Sequence, residues 1–145
     1  MQRATPYLMF HGQTEEAFAF YQSVFGGELG GAVRYRDMGM GGEDDREGDL
    51  IAHISLPIAR DTTLMGSDVS EAGAARYTVG NNVQMHLQAD DADEARRVFA
   101  ALSDGGSIVM PLEPSPWAER FGACSDRYGL IWMIDFTGEV EFGAA

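Results

Sequence analysis

Residues 117–136 read WAERFGACSDRYGLIWMIDF, and the fold is decided there. The segments 120–125 and 130–136 have the residue types of strands, and Asp126-Arg127-Tyr128-Gly129 between them supplies the chemistry of a tight turn. Leu130, Ile131, Trp132, Met133 and Ile134 crowd into one apolar run, with Asp135 after them, which predicts a core strand beside a pocket.

Upstream, residues 83–89 (VQMHLQA) alternate strictly, as a half-buried strand does. Asp91 and Glu94 form a capping-box pattern, and Ala95, Val98, Phe99 and Leu102 share one helical face. Gly105-Gly106 closes that helix, and residues 107–112 begin another strand. The first half repeats this plan. Residues 5–10 (TPYLMF) read as a strand behind a proline, and Thr14 reads as an N-cap with Glu15 and Glu16 in the first turn. Ala17, Phe18, Tyr21, Val24 and Phe25 recur at helical spacing before Gly26-Gly27. Strands are expected at 32–35, 50–58 and 62–65, a mobile glycine-rich acidic loop at 39–49, and a small, polar connection at 66–82. The order β-α-β-β-β thus occurs twice, giving one domain over 1–145 with modules at about 4–69 and 82–137 and a linker at about 70–81.

Composition narrows the function. The chain has 145 residues, 45% of them hydrophobic, which suits one globular domain. A net charge of −13 argues against a nucleic-acid partner and permits a cationic ligand. The single cysteine, Cys124, excludes an internal disulfide framework and reads as a small buried residue. No apolar run approaches the roughly 20 residues that span a bilayer, and the N-terminus lacks the long apolar centre of a signal peptide. No membrane partner and a cytoplasmic location are therefore expected.

Three stretches carry a family resemblance: PYLMFHGQTEEAFAFYQSVFGGEL (6–29), ADDADEA (89–95) and GGSIVMPLEPSPWAERFGACSDRYGLIWMIDF (105–136). With its paired β-α-β-β-β units, the chain resembles the vicinal oxygen chelate superfamily of glyoxalase I, extradiol dioxygenases and bleomycin-resistance proteins. Within it, the chain is most similar to the PhnB-like branch, long mislabelled as a demethylubiquinone methyltransferase. The resemblance implies an α+β fold whose curved mixed sheet surrounds a cavity with the helices outside, and a homodimer. It also implies a divalent metal held by His, Glu, His and Glu on strands one, four, five and eight. Carried onto this chain, those positions fall on Pro6, on Met65 or Gly66, on Gln84 and on Met133. None is a usual ligand for a hard or borderline divalent ion, so a metal, though possible for the fold, is unsupported and no cofactor is expected.

The remaining candidates are read from alternation. Gln84, His86 and Gln88 share a face opposite Val83, Met85 and Leu87, which makes His86 the best candidate for proton transfer or hydrogen bonding in a pocket. The alternative is a histidine paired structurally to a neighbouring strand. His53 alternates with Ile51 and Ser55 and is a second pocket candidate, while His11 reads as structural. Phe10, Trp117, Phe121 and Tyr128 are expected at the cavity rim, whereas Phe18, Tyr21, Phe25 and Phe99 read as core and Trp132 as packed under a helix. Asp135 shares a face with Ile131 and Met133, where it would meet a cationic ligand or a salt bridge from Arg34 or Arg36. The expected function is binding of a small molecule without the usual metal set. The alternatives are a metal-dependent lyase or dioxygenase, a drug-sequestering resistance protein, and metal-free acid–base catalysis through His86.

Overall fold

Hydrophobic alternation in the strands and apolar stripes on two helices build the same small architecture twice. The computed structural model describes residues 1–41, 46–141 and 143. The chain divides into two units, Met1–Thr78 and Val79–Ala145, with the boundary inside the segment read as a linker.

In the first unit, β1 (Tyr7–Phe10), α1 (Thr14–Phe25), β2 (Val33–Arg34), α2 (Arg46–Asp49), β3 (Ile51–Ala59), β4 (Thr62–Asp68) and α3 (Glu71–Ala74) follow in order. The sheet runs β1-β4-β3-β2, with β1 parallel to β4 and the other pairs antiparallel. α1 packs on β3 and β4, and its Ala17, Phe18 and Tyr21 are buried with Ile54, Leu56 and Leu64 of the strands. Gly66 makes this possible, because a Cβ there would sit 2.7 Å from the Phe18 ring.

Several local expectations change: the strand expected at 62–65 runs on to Asp68, and the short helix α3 falls inside the connection expected at 66–82. Thr14 is the first residue of α1 and not its cap; its hydroxyl instead donates to Asp68 Oδ1 at 2.7 Å. Asp68 also accepts from the Thr14 N–H at 3.1 Å and from the Ile51 N–H at 2.9 Å, so one carboxylate ties the ends of three elements together. The strand expected at 32–35 stops at Arg34, since the Arg34 N–H turns to Asp37 Oδ2 at 2.8 Å and a 3-10 turn over Tyr35–Met38 follows. The expected mobile loop falls partly on residues 42–45, outside the described residues, and ends in the α2 turn.

The second unit comprises β5 (Gln84–Gln88), α4 (Ala92–Ser103), β6 (Ser107–Ser115), β7 (Ala118–Ser125) and β8 (Ile131–Phe136). Its sheet runs β5-β8-β7-β6, again with the first pair parallel. Asp91 caps α4 by accepting from the Glu94 N–H at 2.8 Å, and Glu94 reaches back to the Asp90 N–H at 2.8 Å. β6 runs past 112 to Ser115 because it is an edge strand, where Pro111 and Pro114 cost no essential ladder bond and the register shifts around them. α4 packs on β6, β7 and β8, covering the face that holds Cys124, Trp132 and Ile134.

The hairpin between β7 and β8 is organised by Asp126. Oδ1 accepts from the Tyr128 N–H at 2.9 Å and the Leu130 N–H at 3.1 Å, and Oδ2 accepts from Trp132 Nε1 at 2.8 Å. Gly129, at φ 89°, supplies the left-handed residue that the turn requires. Cys124 lies fully buried beneath α4, and burial, with Asp126 second, raises its thiol from 9.0 to about 11. Two results follow. A thiol reagent at pH 8 should leave the folded protein unlabelled and react once urea unfolds it. Because the folded thiol keeps its proton at pH values where the unfolded one has lost it, Cys124 adds stability below pH 9.0 that disappears as the pH rises toward about 11. Urea midpoints across that window should fall more steeply for the wild type than for Cys124→Ala.

Candidate functional site

Each sheet has a face away from its helix, and in the second unit that face gathers most of the residues singled out by alternation. From β5 it carries Gln84, His86 and Gln88, and from β8 Ile131, Met133 and Asp135. From β7 it carries Phe121, Ala123 and Ser125. His86 lies in register with Met133, and Asp135 sits between Gln88 and Phe121. Trp117, at the turn joining β6 to β7, meets Phe121 edge to face at 5.2 Å between ring centres. A row of Trp117, Phe121, Asp135 and His86 therefore crosses three strands.

The polar centre of that row is a carboxylate and an imidazole. His86 Nε2 lies 2.8 Å from Asp135 Oδ1, with the His86 side chain 52% exposed and that of Asp135 only 8%. The separation is short, yet Oδ1 accepts no aligned hydrogen bond; the contact is a close approach, not a directed bond. Asp135 Oδ2 accepts from the Thr137 hydroxyl at 3.2 Å, which itself accepts from Gln88 Nε2 at 3.0 Å. The arginine partners considered for Asp135 are engaged elsewhere: Arg34 with Glu15 and the Asp49 carbonyl, Arg36 with the Asp49 side chain.

The first unit presents the equivalent face with different chemistry. Tyr7 pairs with Met65 there as His86 pairs with Met133, and Ser55 pairs with Met65 as Ala123 pairs with Met133. His53 belongs to this face: its Nδ1 lies 3.1 Å from the Tyr7 hydroxyl. Phe10 does not reach it, being 5% exposed on the helix side with its ring edge-on to Phe18. Tyr7 and Thr137 were missed from sequence, although the alternation of Tyr7 with Met9 in TPYLMF was a usable signal. Elsewhere in this unit, His11, Arg46, Glu47 and Glu71 line a cleft of about 470 Å³ that holds none of the pocket candidates.

The inherited metal positions do not fit an ion. Pro6 has no side-chain donor, and its carbonyl accepts from the Met65 N–H at 3.1 Å. Gly66 faces Phe18. Gln84 pairs in register with Ile131, not with Met133. Among the described residues no three His, Cys, Asp or Glu side chains converge. Across Pro6, Met65 or Gly66, Gln84 and Met133 the side chains offer one amide oxygen and at most two thioethers, where the fold's metal enzymes offer imidazoles and carboxylates.

Known proteins agree with this architecture. A family model described as 3-demethylubiquinone-9 3-methyltransferase matches residues 2–135. Protein YjdN of Escherichia coli is 31% identical over 140 residues, covering 90% of this chain and 92% of its own. The crystal structure of protein PA1353 from Pseudomonas aeruginosa is 35% identical with a TM-score of 0.78, covering 94% of this chain and 98% of that one. A PhnB protein from Bacillus cereus, described as a putative 3-demethylubiquinone-9 3-methyltransferase, is 28% identical with a TM-score of 0.74 over 93% and 99% of the two chains. A glyoxalase/bleomycin resistance protein/dioxygenase family enzyme from Burkholderia phytofirmans, at 13% identity and a TM-score of 0.61, shares the fold. With two mixed four-stranded sheets built from tandem βαβββ units and a family match spanning nearly its whole length, the chain has the fold of the glyoxalase/bleomycin resistance/dioxygenase enzymes and belongs to the PhnB-like family described as 3-demethylubiquinone-9 3-methyltransferase.

Proposed function

We propose that the helix-free face of the second unit binds a small molecule without a metal, with the His86–Asp135 pair as polar anchor and Phe121, Trp117 and Met133 as apolar wall. The observation that carries this reading is the half-exposed imidazole held 2.8 Å from a buried carboxylate beside an aromatic pair. With Nε2 turned to Asp135, the Nδ1 edge of the ring is left to meet a ligand. A homodimer in the cytoplasm belongs to the same proposal. No helix among the described residues is long and apolar enough to cross a membrane.

A thermal-shift screen finds the ligand, because one present at 100 times its dissociation constant adds about 2.7 kcal/mol. Trp117 is 41% exposed and Trp132 fully buried, so ligand quenching of fluorescence should arise from Trp117 and vanish in Trp117→Phe. His86→Ala should weaken binding roughly tenfold, the cost of one hydrogen bond to a polar anchor. Quenching and affinity that survive both substitutions would place the ligand elsewhere.

A second reading has one observation in its favour: a carboxylate against one imidazole nitrogen is how a general base is oriented. In that case His86→Gln would abolish turnover of a bound substrate while leaving its binding within a few-fold.

A further inference from the structure

Three carboxylates are buried among the described residues, Asp68, Asp126 and Asp135, at 2%, 3% and 6% exposure. Asp68 is saturated by the Thr14 N–H, the Thr14 hydroxyl and the Ile51 N–H. Asp126 takes the Tyr128 and Leu130 N–H groups and the Trp132 indole. Asp135 differs. Its Oδ2 has one neutral hydroxyl donor at 3.2 Å, and its Oδ1 has no aligned donor at all. A buried carboxylate short of donors is costly, and the two saturated ones show what this fold supplies when a carboxylate is purely structural.

Apart from His86, the residues in register with Asp135, Gln88 and Phe121, bring no positive charge to it. Arg120, one residue from Phe121 and on the opposite side of β7 by alternation, donates to the Glu119 carbonyl. Glu113 pairs in register with Phe121 and adds a second acidic residue to the row. The whole chain carries −13. Phe121 lies beside Asp135 in register, and Trp117 stands edge-on to Phe121, so an aromatic surface flanks the under-compensated carboxylate.

We infer that the small molecule this face accepts is an organic cation, an amidinium, guanidinium or alkylammonium whose N–H groups point to the His86–Asp135 pair while its body lies against Phe121 and Trp117. The inference rests on reading this face as a binding site. Positive charge near Asp135 supplies what the protein does not, and cation–π attraction to the two rings adds to it. A neutral isostere loses both contributions, and an anion meets Asp135 and Glu113.

The test is a fluorescence titration of the full-length protein with benzamidine, its neutral isostere benzamide and anionic benzoate. Benzamidine should bind at least about tenfold more tightly than benzamide, the value of a charge-assisted over a neutral hydrogen bond, and benzoate more weakly than either. In Asp135→Asn the benzamidine advantage should shrink to about twofold or less. The wild-type ratio decides the matter alone should that variant fail to fold. Equal binding of benzamidine and benzamide at Trp117, or a preference for benzoate, overturns the cation and leaves the binding face standing. No saturable change with any of the three at millimolar concentration overturns both.

Discussion

Asp126→Ala is expected to lower stability by about 4 kcal/mol, among the largest losses a single side chain of this protein can cause. The carboxylate accepts from two turn amides and from the indole of Trp132, which is fully buried. Removing it takes a charged acceptor from three donors at once, at about 1–3 kcal/mol for each that stays dry. The two amides lie near the surface of the turn and regain water, whereas the indole N–H does not, so the total falls below the simple sum. Asp126→Asn keeps the shape and part of the acceptor capacity and should cost about half as much. Urea unfolding followed by circular dichroism measures both, and a loss under 1 kcal/mol for the alanine variant would show that the turn does not depend on this carboxylate.

Asp68→Ala should cost a similar amount, about 4 kcal/mol, for a different reason. Asp68 sits at the end of β4 and holds the first residue of α1 and the first residue of β3. Thr14 is 0% exposed and Ile51 1%, so neither amide finds water when the carboxylate is gone. Thr14→Val removes one of the three bonds and nearly preserves volume, and should cost about 1–2 kcal/mol. Both tryptophans, Trp117 and Trp132, belong to the second unit. Circular dichroism is therefore the probe for Asp68→Ala, while tryptophan emission is the sharper one for Asp126→Ala.

The duplicated order, the two long helices α1 and α4 and the cap at Asp91 were legible in the sequence because local chemistry determines them, whereas the short α2 and α3 turns were read as loop and connection. Strict alternation placed Gln84, His86 and Gln88 on one face, and the strand pairing agrees. The spacing from Asp126 through Gly129 to Trp132 was visible as a pattern, but its cause was not. That the aspartate's second oxygen reaches back to the indole is a contact across a turn, and composition does not encode it. Asp68 was unreadable for the same reason: its donors lie 54 and 17 residues away. The early end of β2 was hidden because Val33 to Tyr35 have good strand propensity, and the Arg34 amide's bond to Asp37 overrides it. Phe10 was assigned to the pocket from its place at a strand end, yet parity sends it to the helix side against Phe18. Asp135 had two candidate partners by charge and took neither, since the parallel pairing of β5 with β8 brings His86 to it instead.

The most direct test of the account is NMR of the chelator-treated protein, following the His86 imidazole and the two indole signals as benzamidine is added. The account predicts that His86 and Trp117 shift together and saturably without added metal, while buried Trp132 stays in place. Shifts confined to other residues, or shifts that arise only after a divalent ion is restored, would contradict it.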